Sequence, residues 1–216
     1  MAATLRVTVE GQAVELGWIR SGMARVPGGA YREAYEDMVV RKTATYSFLL
    51  PAEVGCIGAG APLQLRARLR DYGRHLGIAF QIADDLLNLR DDTPAYGKER
   101  DGDLWEGKRT LMLLHALEVE PDPDLRSAAE AALSRRRPGV DVPSGMADPG
   151  VKTEADVRLL RALLERQGSI ALASEVASAH AASAARALED CRGALRSGEP
   201  ARFLQALPRY VVERLR

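Results

Sequence analysis

The pattern of apolar and polar positions predicts a chain that is helical nearly throughout. We expect helices over residues 5–21, 30–50, 63–90, 111–117, 123–137, 169–196 and 203–215, with a further helix capped at Thr153. Pro and Gly separate these segments, and Pro51 is expected to interrupt or kink the second helix. The sequence contains no convincing alternating stretch longer than a few residues. It therefore predicts an all-α protein.

Polar side chains form one stripe inside an apolar run that begins at Leu76 of the predicted helix over residues 63–90. Gln81, Asp84, Asp85 and Asn88 lie at positions i, i+3, i+4 and i+7, so an α-helix places all four on one face. An Asp-Asp pair by itself is more often part of a solvated surface, but the neighbours of this pair on the other faces of the run are apolar. Adjacent carboxylates in such surroundings repel each other and lose hydration, and a hard cation relieves both penalties. The stripe therefore predicts a Mg²⁺ site.

Basic residues follow the stripe in a segment that contains glycine. Lys98 comes directly after Gly97, and Lys108 and Arg109 come directly after Gly107. An ammonium group binds phosphate oxygens as a point charge. Together with the stripe, these residues predict a metal-bridged phosphate site.

A lysine also lies on the predicted helix over residues 30–50. Tyr35, Met38, Lys42 and Tyr46 fall at positions i, i+3, i+7 and i+11 and are predicted to share one face. A lysine on such a face usually extends its alkyl chain over apolar neighbours. The spacing alone therefore leaves Lys42 open between a packing role and a binding role.

These residues fall in motifs that resemble those of the trans-isoprenyl diphosphate synthases, which include farnesyl, geranylgeranyl and longer polyprenyl diphosphate synthases, and the motifs from Phe80 to Thr110 resemble the family's second aspartate-rich region. The motifs are Gly11-Gln12, the Tyr35, Met38, Lys42-Thr43 pattern, Phe80-Gln81, Asp84-Asp85-Leu86-Leu87-Asn88, Gly97-Lys98, Asp103-Leu104 and Glu106-Gly107-Lys108-Arg109-Thr110. They occur in the family's order and at compatible spacings. The resemblance implies an all-α helical bundle of the isoprenoid-synthase type.

The resemblance also implies roles for individual residues. It implies catalytic roles for Asp84, Asp85, Lys42 and Lys98, contacts with substrate diphosphates by Gln12, Lys42, Thr43, Gln81, Lys98 and Lys108, and Mg²⁺ coordination by Asp84, Asp85 and Asn88. Asn88 stands where the longest form of the family motif has a third aspartate. In the family, Mg²⁺ and lysines withdraw charge as diphosphate leaves an allylic substrate, and isopentenyl diphosphate attacks the resulting cation. We therefore expect Mg²⁺ as the cofactor and allylic and isopentenyl diphosphates as substrates.

One family motif is absent from the sequence. Family members carry an earlier Asp-Asp-x-x-Asp motif on a helix that faces the second motif, whereas the resemblance here begins at Gly11. We therefore expect a partial polyprenyl synthetase domain over residues 1–216 that lacks the N-terminal helices and is incomplete alone as a prenyltransferase. One alternative is a non-catalytic partner subunit of a complete prenyl diphosphate synthase. A second is a class I terpene cyclase, which the aromatic content of 5% disfavours.

Composition narrows the remaining possibilities. Thirty basic and thirty acidic residues cancel, so nothing suggests a nucleic-acid-binding surface. No apolar run reaches the length of a membrane span, and no signal-peptide pattern opens the chain. We expect a cytoplasmic protein with one domain, in which residues 138–150 form a surface loop. Because helices that would cover apolar surface are expected to be missing, we also expect a homodimer or a partner synthase subunit.

Overall fold

Helices form nearly all the regular structure of the chain. The structure is a computed structural model and describes residues 2–20, 30–90, 100–142, 145, 147–191 and 193–214. The helices are α1 (Ala2–Arg20), α2 (Tyr31–Val39), a π-helical segment (Val40–Leu49), α3 (Leu50–Gly58), α4 (Leu63–Leu87), α5 (Gly102–Glu106), α6 (Leu111–Val119), α7 (Pro123–Ser134), α8 (Glu154–Arg166), α9 (Ser169–Glu189) and α10 (Glu199–Glu213). Within the described residues, β contacts are limited to one isolated bridge between Arg136 and Val151. The predicted all-α class is confirmed.

The start of α8 is fixed by the capping residue that the sequence predicts. The Thr153 hydroxyl accepts a hydrogen bond from the backbone N–H of Asp156, and the Asp156 carboxylate accepts one from the backbone N–H of Thr153. This reciprocal capping box satisfies two N–H groups that lack partners inside the helix. Of the helices that the structure describes, none is long and apolar enough to cross a membrane.

The predicted interruption near Pro51 is wrong, because the helix continues there with a change of helix type, whereas the alternative of a kink stays a prediction. Residues 31–58 run from α2 through the π-helical segment into α3, and Pro51 lies in the first turn of α3. Proline removes a helical hydrogen bond and crowds the carbonyl four residues earlier. In the π-helical segment the bonds reach one residue further back, as from the N–H of Leu50 to the carbonyl of Thr45. The chain thus accommodates Pro51 without ending the helix.

The π-helical segment also changes which side chains share a face. Tyr35 and Met38 are buried, as their spacing predicts, but Tyr46 is 53% exposed. The prediction that the same face extends to Tyr46 is therefore wrong. Its physical reason is that bonds between residues five apart shift every later side chain around the helix axis.

The chain divides into two compact units by its backbone contacts. The first unit comprises residues 1–13, 36–84 and 174–216, and the second comprises residues 14–35 and 85–173. The division within α4 falls between Asp84 and Asp85. That residues 1–216 act as a single domain stays a prediction.

The core of the first unit forms where α4 meets α9 and α10. Its buried cluster consists of Tyr72, Leu76, Ala79, Ala83, Ala181, Ala184, Leu188 and Val211. The Tyr72 hydroxyl donates a hydrogen bond of 2.8 Å to the Leu204 carbonyl. The Arg214 guanidinium lies 4.5 Å from the centre of the Phe80 ring. These contacts fix α10 against the helix that carries the polar stripe.

The core of the second unit is built around α6. Its buried residues are Leu111, Met112, Leu113, Leu114, Ala116 and Leu117. A helix with so many buried apolar residues is stable only when its neighbours cover them. Helix α8 contributes Val157, Leu160, Leu163 and Leu164 to this core, and α7 contributes Ala129, Ala132 and Leu133. Between α7 and α8, the N–H of Arg136 donates a hydrogen bond to the carbonyl of Gly150, and the N–H of Lys152 donates one to the carbonyl of Arg136. That residues 138–150 form a surface loop stays a prediction.

Two glycines let α1 and α4 approach the π-helical segment closely. A Cβ atom built on Gly11 would lie 2.5 Å from the backbone nitrogen of Lys42. A Cβ atom built on Gly77 would lie 2.4 Å from the Cβ atom of Ala44 and 2.8 Å from its Cα atom. Carbon atoms at optimal contact lie about 3.5–4.0 Å apart, so neither site has room for a side chain. Both close approaches therefore fix the part of the helix that carries Lys42.

Replacing Gly77 with Ala should lower the free energy of unfolding by about 2 kcal/mol, because the added methyl group must separate α4 from the π-helical segment. Urea unfolding followed by circular dichroism measures the change. Gly17→Ala in α1 is the matched control, since no atom lies within 4 Å of its added Cβ atom. The control should gain up to about 1 kcal/mol from helix propensity. Equal stabilities of the two variants would contradict the tight approach of α4.

Candidate active site

The Asp85 carboxylate is held in place by a buried tyrosine. The Tyr35 hydroxyl donates a hydrogen bond of 2.7 Å to Oδ2 of Asp85, and both side chains are buried. Burial raises the pKa of the Tyr35 phenol well above its ordinary value, and the nearby Asp85 charge raises it further. The phenol therefore remains a hydrogen-bond donor at every physiological pH. This bond fixes the orientation of one of the two predicted metal ligands, as partners of metal-binding carboxylates commonly do.

Gln81 and Thr43 join α4 to the π-helical segment one helical turn before the aspartates. The Thr43 hydroxyl donates a hydrogen bond of 2.8 Å to Oε1 of Gln81. Thr43 is buried, whereas Gln81, Asp84 and Lys42 are each half-buried. Because Lys42 directly precedes Thr43, this bond sets the backbone of Lys42 beside the part of α4 that carries Gln81. The structure thus brings together the Lys42-Thr43 and Gln81 motifs, which are widely separated in sequence.

Gln12 is placed by its neighbour Gly11. The close approach of Gly11 to the backbone nitrogen of Lys42 puts Gln12 and Lys42 on adjacent helices at the same level. Both side chains are half-buried. In the first unit, four of the predicted substrate-binding residues therefore come from neighbouring backbone segments: Gln12, Lys42, Thr43 and Gln81.

Asn88 connects the end of α4 to the start of α5. Its Oδ1 atom accepts a hydrogen bond of 2.9 Å from the backbone N–H of Asp103, and its carbonyl accepts one of 2.9 Å from the N–H of Asp101. Asn88 follows the last residue of α4, Leu87. Its side-chain oxygen already has a backbone donor, so the structure gives Asn88 a structural role. Its predicted coordination of a metal stays a prediction.

Lys108 is paired with carboxylates after the end of α5. Its Nζ atom lies 2.6 Å from Oδ1 of Asp103 and 3.2 Å from Oε2 of Glu106. Burial favours the neutral amine, but the hydrogen bond and charge of Asp103 outweigh this effect and raise the pKa of Lys108. Lys108 is therefore a permanent cation whose direction is set by Asp103. The motif places Asp103 in the sequence, but its pairing with Lys108 is visible only in the structure.

The two other predicted basic residues differ from Lys108. Lys98 lies outside the described residues. Arg109 is only 2% exposed, and its Nη1 group donates to the Gly107 carbonyl. Burial lowers the pKa of Arg109 to about 10, against the opposing effect of Glu130. Arg109 is therefore a buried structural residue at the turn before Lys108, and its predicted place in a phosphate site is not supported by its burial.

The carboxylates on α4 fit a metal that is shared with a phosphate ligand. In the described part of the chain, no three His, Cys, Asp or Glu side chains form a group that could hold a metal ion. Mg²⁺ in phosphate-handling enzymes is usually bound by one or two carboxylates, substrate phosphates and water. Asp84 and Asp85 would supply this smaller donor set, and their coordination of a metal stays a prediction. A closed metal site made entirely by protein side chains would require more ligands.

The fold and these motifs define the class of protein. Residues 1–141, more than half of the chain, match the family model described as Polyprenyl synthetase. The chain belongs to this family, which confirms the predicted resemblance to the trans-isoprenyl diphosphate synthases. Its fold is therefore the predicted all-α isoprenoid-synthase fold.

Individual relatives agree with this assignment. The chain is 37% identical over 115 residues to the short chain isoprenyl diphosphate synthase of Methanothermobacter thermautotrophicus. This match covers 53% of this chain and 33% of that protein. The chain is also 29% identical over 214 residues to the geranylfarnesyl diphosphate synthase of Natronomonas pharaonis. That match covers 99% of this chain and 53% of that protein. The polyprenyl synthase from Caulobacter crescentus, solved with calcium and isoprenyl diphosphate, has a TM-score of 0.77 and 30% identity.

The matched relatives are longer than this chain. The match covers all of this chain but only 58% of the Caulobacter crescentus structure, and the chain spans about a third to about half of the two curated relatives. The similarity of the fold therefore concerns one part of those proteins.

Proposed function

We propose that this chain carries the second diphosphate-binding half of a prenyltransferase that condenses isopentenyl diphosphate with an allylic diphosphate. The observation that supports this most strongly is that two residues of the stripe accept hydrogen bonds from the preceding helical run. The Tyr35 hydroxyl orients Asp85, and the Thr43 hydroxyl orients Gln81. These hydrogen bonds satisfy the polar groups and hold each of them in one orientation, as is expected of preorganised ligand-binding groups.

Each predicted residue has a part in this proposal. Asp84 and Asp85 would hold Mg²⁺, and the metal would supply charge stabilisation for the departing diphosphate. Gln12, Lys42, Thr43, Gln81, Lys98 and Lys108 would bind substrate diphosphates. Lysine suits this task because its compact charge attracts phosphate oxygens from several directions. The Asp103 carboxylate would keep Lys108 oriented and charged.

The comparisons support a transferase more than the alternatives. The relatives described above are named as diphosphate synthases, and one was solved with calcium and isoprenyl diphosphate. Calcium and magnesium both prefer oxygen ligands, so Mg²⁺ is consistent with that site. A non-catalytic partner subunit and a terpene cyclase are accordingly not favoured. A cytoplasmic location stays a prediction.

Calorimetric titration with inorganic pyrophosphate tests the proposal. We expect binding that requires Mg²⁺, because the two carboxylates on α4 would otherwise repel the anion. Binding of the same affinity after removal of divalent metal with EDTA would contradict the proposed site.

Tyr35→Phe should weaken Mg²⁺ affinity by about tenfold to a hundredfold, because losing the hydroxyl frees the Asp85 carboxylate to rotate. Displacement of bound Mn²⁺, which is visible by electron paramagnetic resonance, by added Mg²⁺ measures the change in Mg²⁺ affinity. Tyr46→Phe is the matched control, since Tyr46 lies on the same run of helix and is 53% exposed. Equal metal affinities of the two variants would contradict the role of Tyr35 in orienting the metal ligand Asp85.

We also propose that the chain forms a homodimer or pairs with a synthase subunit. Large apolar side chains are exposed on the helices of the first unit: Leu5, Val9, Val54, Ile57 and Leu63. Exposed apolar groups of this kind favour association when they form a continuous surface. Light scattering should therefore give a mass above the 23.5 kDa of one chain. A monodisperse monomer with one cooperative thermal transition would contradict this expectation.

A further inference from the structure

The short helix α5 cannot fix its own position. It has five residues, and Asp103 lies within it while Lys108 follows its end. Isolated helices this short are unstable in water, because nucleation costs more than a single turn recovers. Contacts with the rest of the second unit must therefore set where Asp103 and Lys108 lie.

The start of α5 is bound by Arg161 of α8. The Nη1 group of Arg161 lies 2.5 Å from Oδ1 of Asp101, and its Nη2 group donates a bond of 2.7 Å to the Leu89 carbonyl. One guanidinium thus contacts the residue before α5 and the residue that follows Asn88. Arg100 adds a weaker contact of 3.4 Å to Oδ2 of Asp101.

Asp101, which Arg161 contacts, has a left-handed backbone conformation. Its φ angle is +57°, and among the described residues other than glycine it alone has a positive φ. Aspartate enters this region at a cost that glycine avoids. Asp101 is also buried, so its carboxylate requires a cationic partner. Arg161 supplies that partner and stabilises the strained residue at the start of α5.

The end of α5 is bound by Lys152. This lysine is only 1% exposed, and its Nζ group donates a hydrogen bond of 2.7 Å to the Leu104 carbonyl. Burial, together with the positive charge of Arg109, lowers the pKa of Lys152 to about 8. A Cβ atom on Gly107 would lie 3.2 Å from the Nζ atom, so the backbone at the end of α5 packs closely on this lysine.

We propose that Lys152 and Arg161 are positioning residues that hold α5 at both ends and thereby place Asp103, which in turn orients the Lys108 ammonium towards a bound diphosphate. This inference rests on the proposed function for its ligand. Both residues lie beyond residue 141 and so outside the stretch that matches the family model. Helix α8 packs through Val157, Leu160, Leu163 and Leu164, so its own attachment does not depend on these two polar side chains.

Two measurements on the full 216-residue chain test the proposal. Hydrogen–deuterium exchange over residues 101–109 reports the ordering of α5, and calorimetry with inorganic pyrophosphate and Mg²⁺ reports the ligand site. In Arg161→Met and in Lys152→Met we expect exchange over residues 101–109 to rise at least tenfold and pyrophosphate affinity to fall about tenfold. Exchange in α6 should stay unchanged, because its apolar neighbours remain.

Arg158→Met is the matched control. Arg158 lies on α8 as well, but its side chain is 71% exposed and forms an ion pair with Glu154 on the same helix. This variant should leave both measurements at wild-type values. Arg161→Lys should give intermediate values, since one ammonium cannot replace both contacts of the guanidinium, and it serves if Arg161→Met fails to fold.

A rescue experiment separates positioning from general stability. Adding Asp101→Gly to Arg161→Met should restore the free energy of unfolding but not the pyrophosphate affinity, because glycine tolerates the positive φ angle and removes the unpaired buried carboxylate while the contact from α8 to α5 stays absent. Full recovery of the affinity in this double variant would contradict the positioning role. Wild-type exchange and wild-type affinity in both Arg161→Met and Lys152→Met would overturn the proposal. A wild-type chain that binds no pyrophosphate would contradict the proposed function, and exchange would then decide whether the two residues hold α5.

Discussion

Replacing both Asp84 and Asp85 with Asn should lower Mg²⁺-dependent binding of inorganic pyrophosphate by more than a hundredfold. The substitution keeps the shape of each side chain but removes both negative charges that would hold the metal. Losing one outer partner of a metal ligand typically costs about tenfold to a hundredfold in affinity, and losing the ligands themselves should cost more. Calorimetric titration with and without Mg²⁺ measures the effect.

Asp71→Asn is the matched control for this prediction. Asp71 lies on α4 with the two aspartates, but it is exposed and lies well before the stripe. Its replacement should leave pyrophosphate affinity unchanged. If the double variant at Asp84 and Asp85 kept the wild-type affinity, these carboxylates would not form the metal site.

The 216-residue chain assayed alone should transfer prenyl groups at a negligible rate. Its sequence contains one aspartate pair of the expected kind, and the opposing Asp-Asp-x-x-Asp motif of the family does not occur in it. Removing one well-placed electrostatic contact costs about 2.7–4 kcal/mol of transition-state stabilisation, on the order of a hundredfold to a thousandfold in rate. A whole carboxylate motif should contribute more than one such contact.

Incorporation of labelled isopentenyl diphosphate onto an allylic primer with Mg²⁺ measures this rate. A complete family member assayed beside the chain supplies the reference. Rapid transfer by the chain alone would show that the residues described here are sufficient for catalysis, and the role given to the absent motif would be wrong.

The helices and the stripe were predictable because their signals are local. The apolar run before Asp84 has helical spacing, and the Thr153 cap lies directly before its helix, so neither depends on distant parts of the chain. The partners of the stripe were not predictable. The bonds from Tyr35 to Asp85 and from Thr43 to Gln81 depend on how two helices align, and sequence spacing carries no information about that alignment.

The wrong predictions at Pro51 and Tyr46 also arose because local sequence signals do not show the hydrogen-bond spacing of the helix. Pro51 is a strong local signal for a break, but the wider hydrogen-bond spacing before it lets the helix continue. The same spacing moves Tyr46 off its predicted face. Lys152 and Arg161 belong to no motif, and only their contacts with α5 reveal them.

We propose that Asp84 and Asp85 serve catalysis together with a second carboxylate motif that another polypeptide segment supplies. This proposal is tested most directly by labelled isopentenyl diphosphate incorporation after a polypeptide with the Asp-Asp-x-x-Asp helix is added in trans or fused to the chain. We expect that the wild-type chain gains activity only with this addition and that Asp84→Ala then lowers the rate at least a hundredfold. Equal activity of Asp84→Ala and wild type in the completed enzyme, or brisk transfer by the lone chain that Asp84→Ala abolishes, would contradict it.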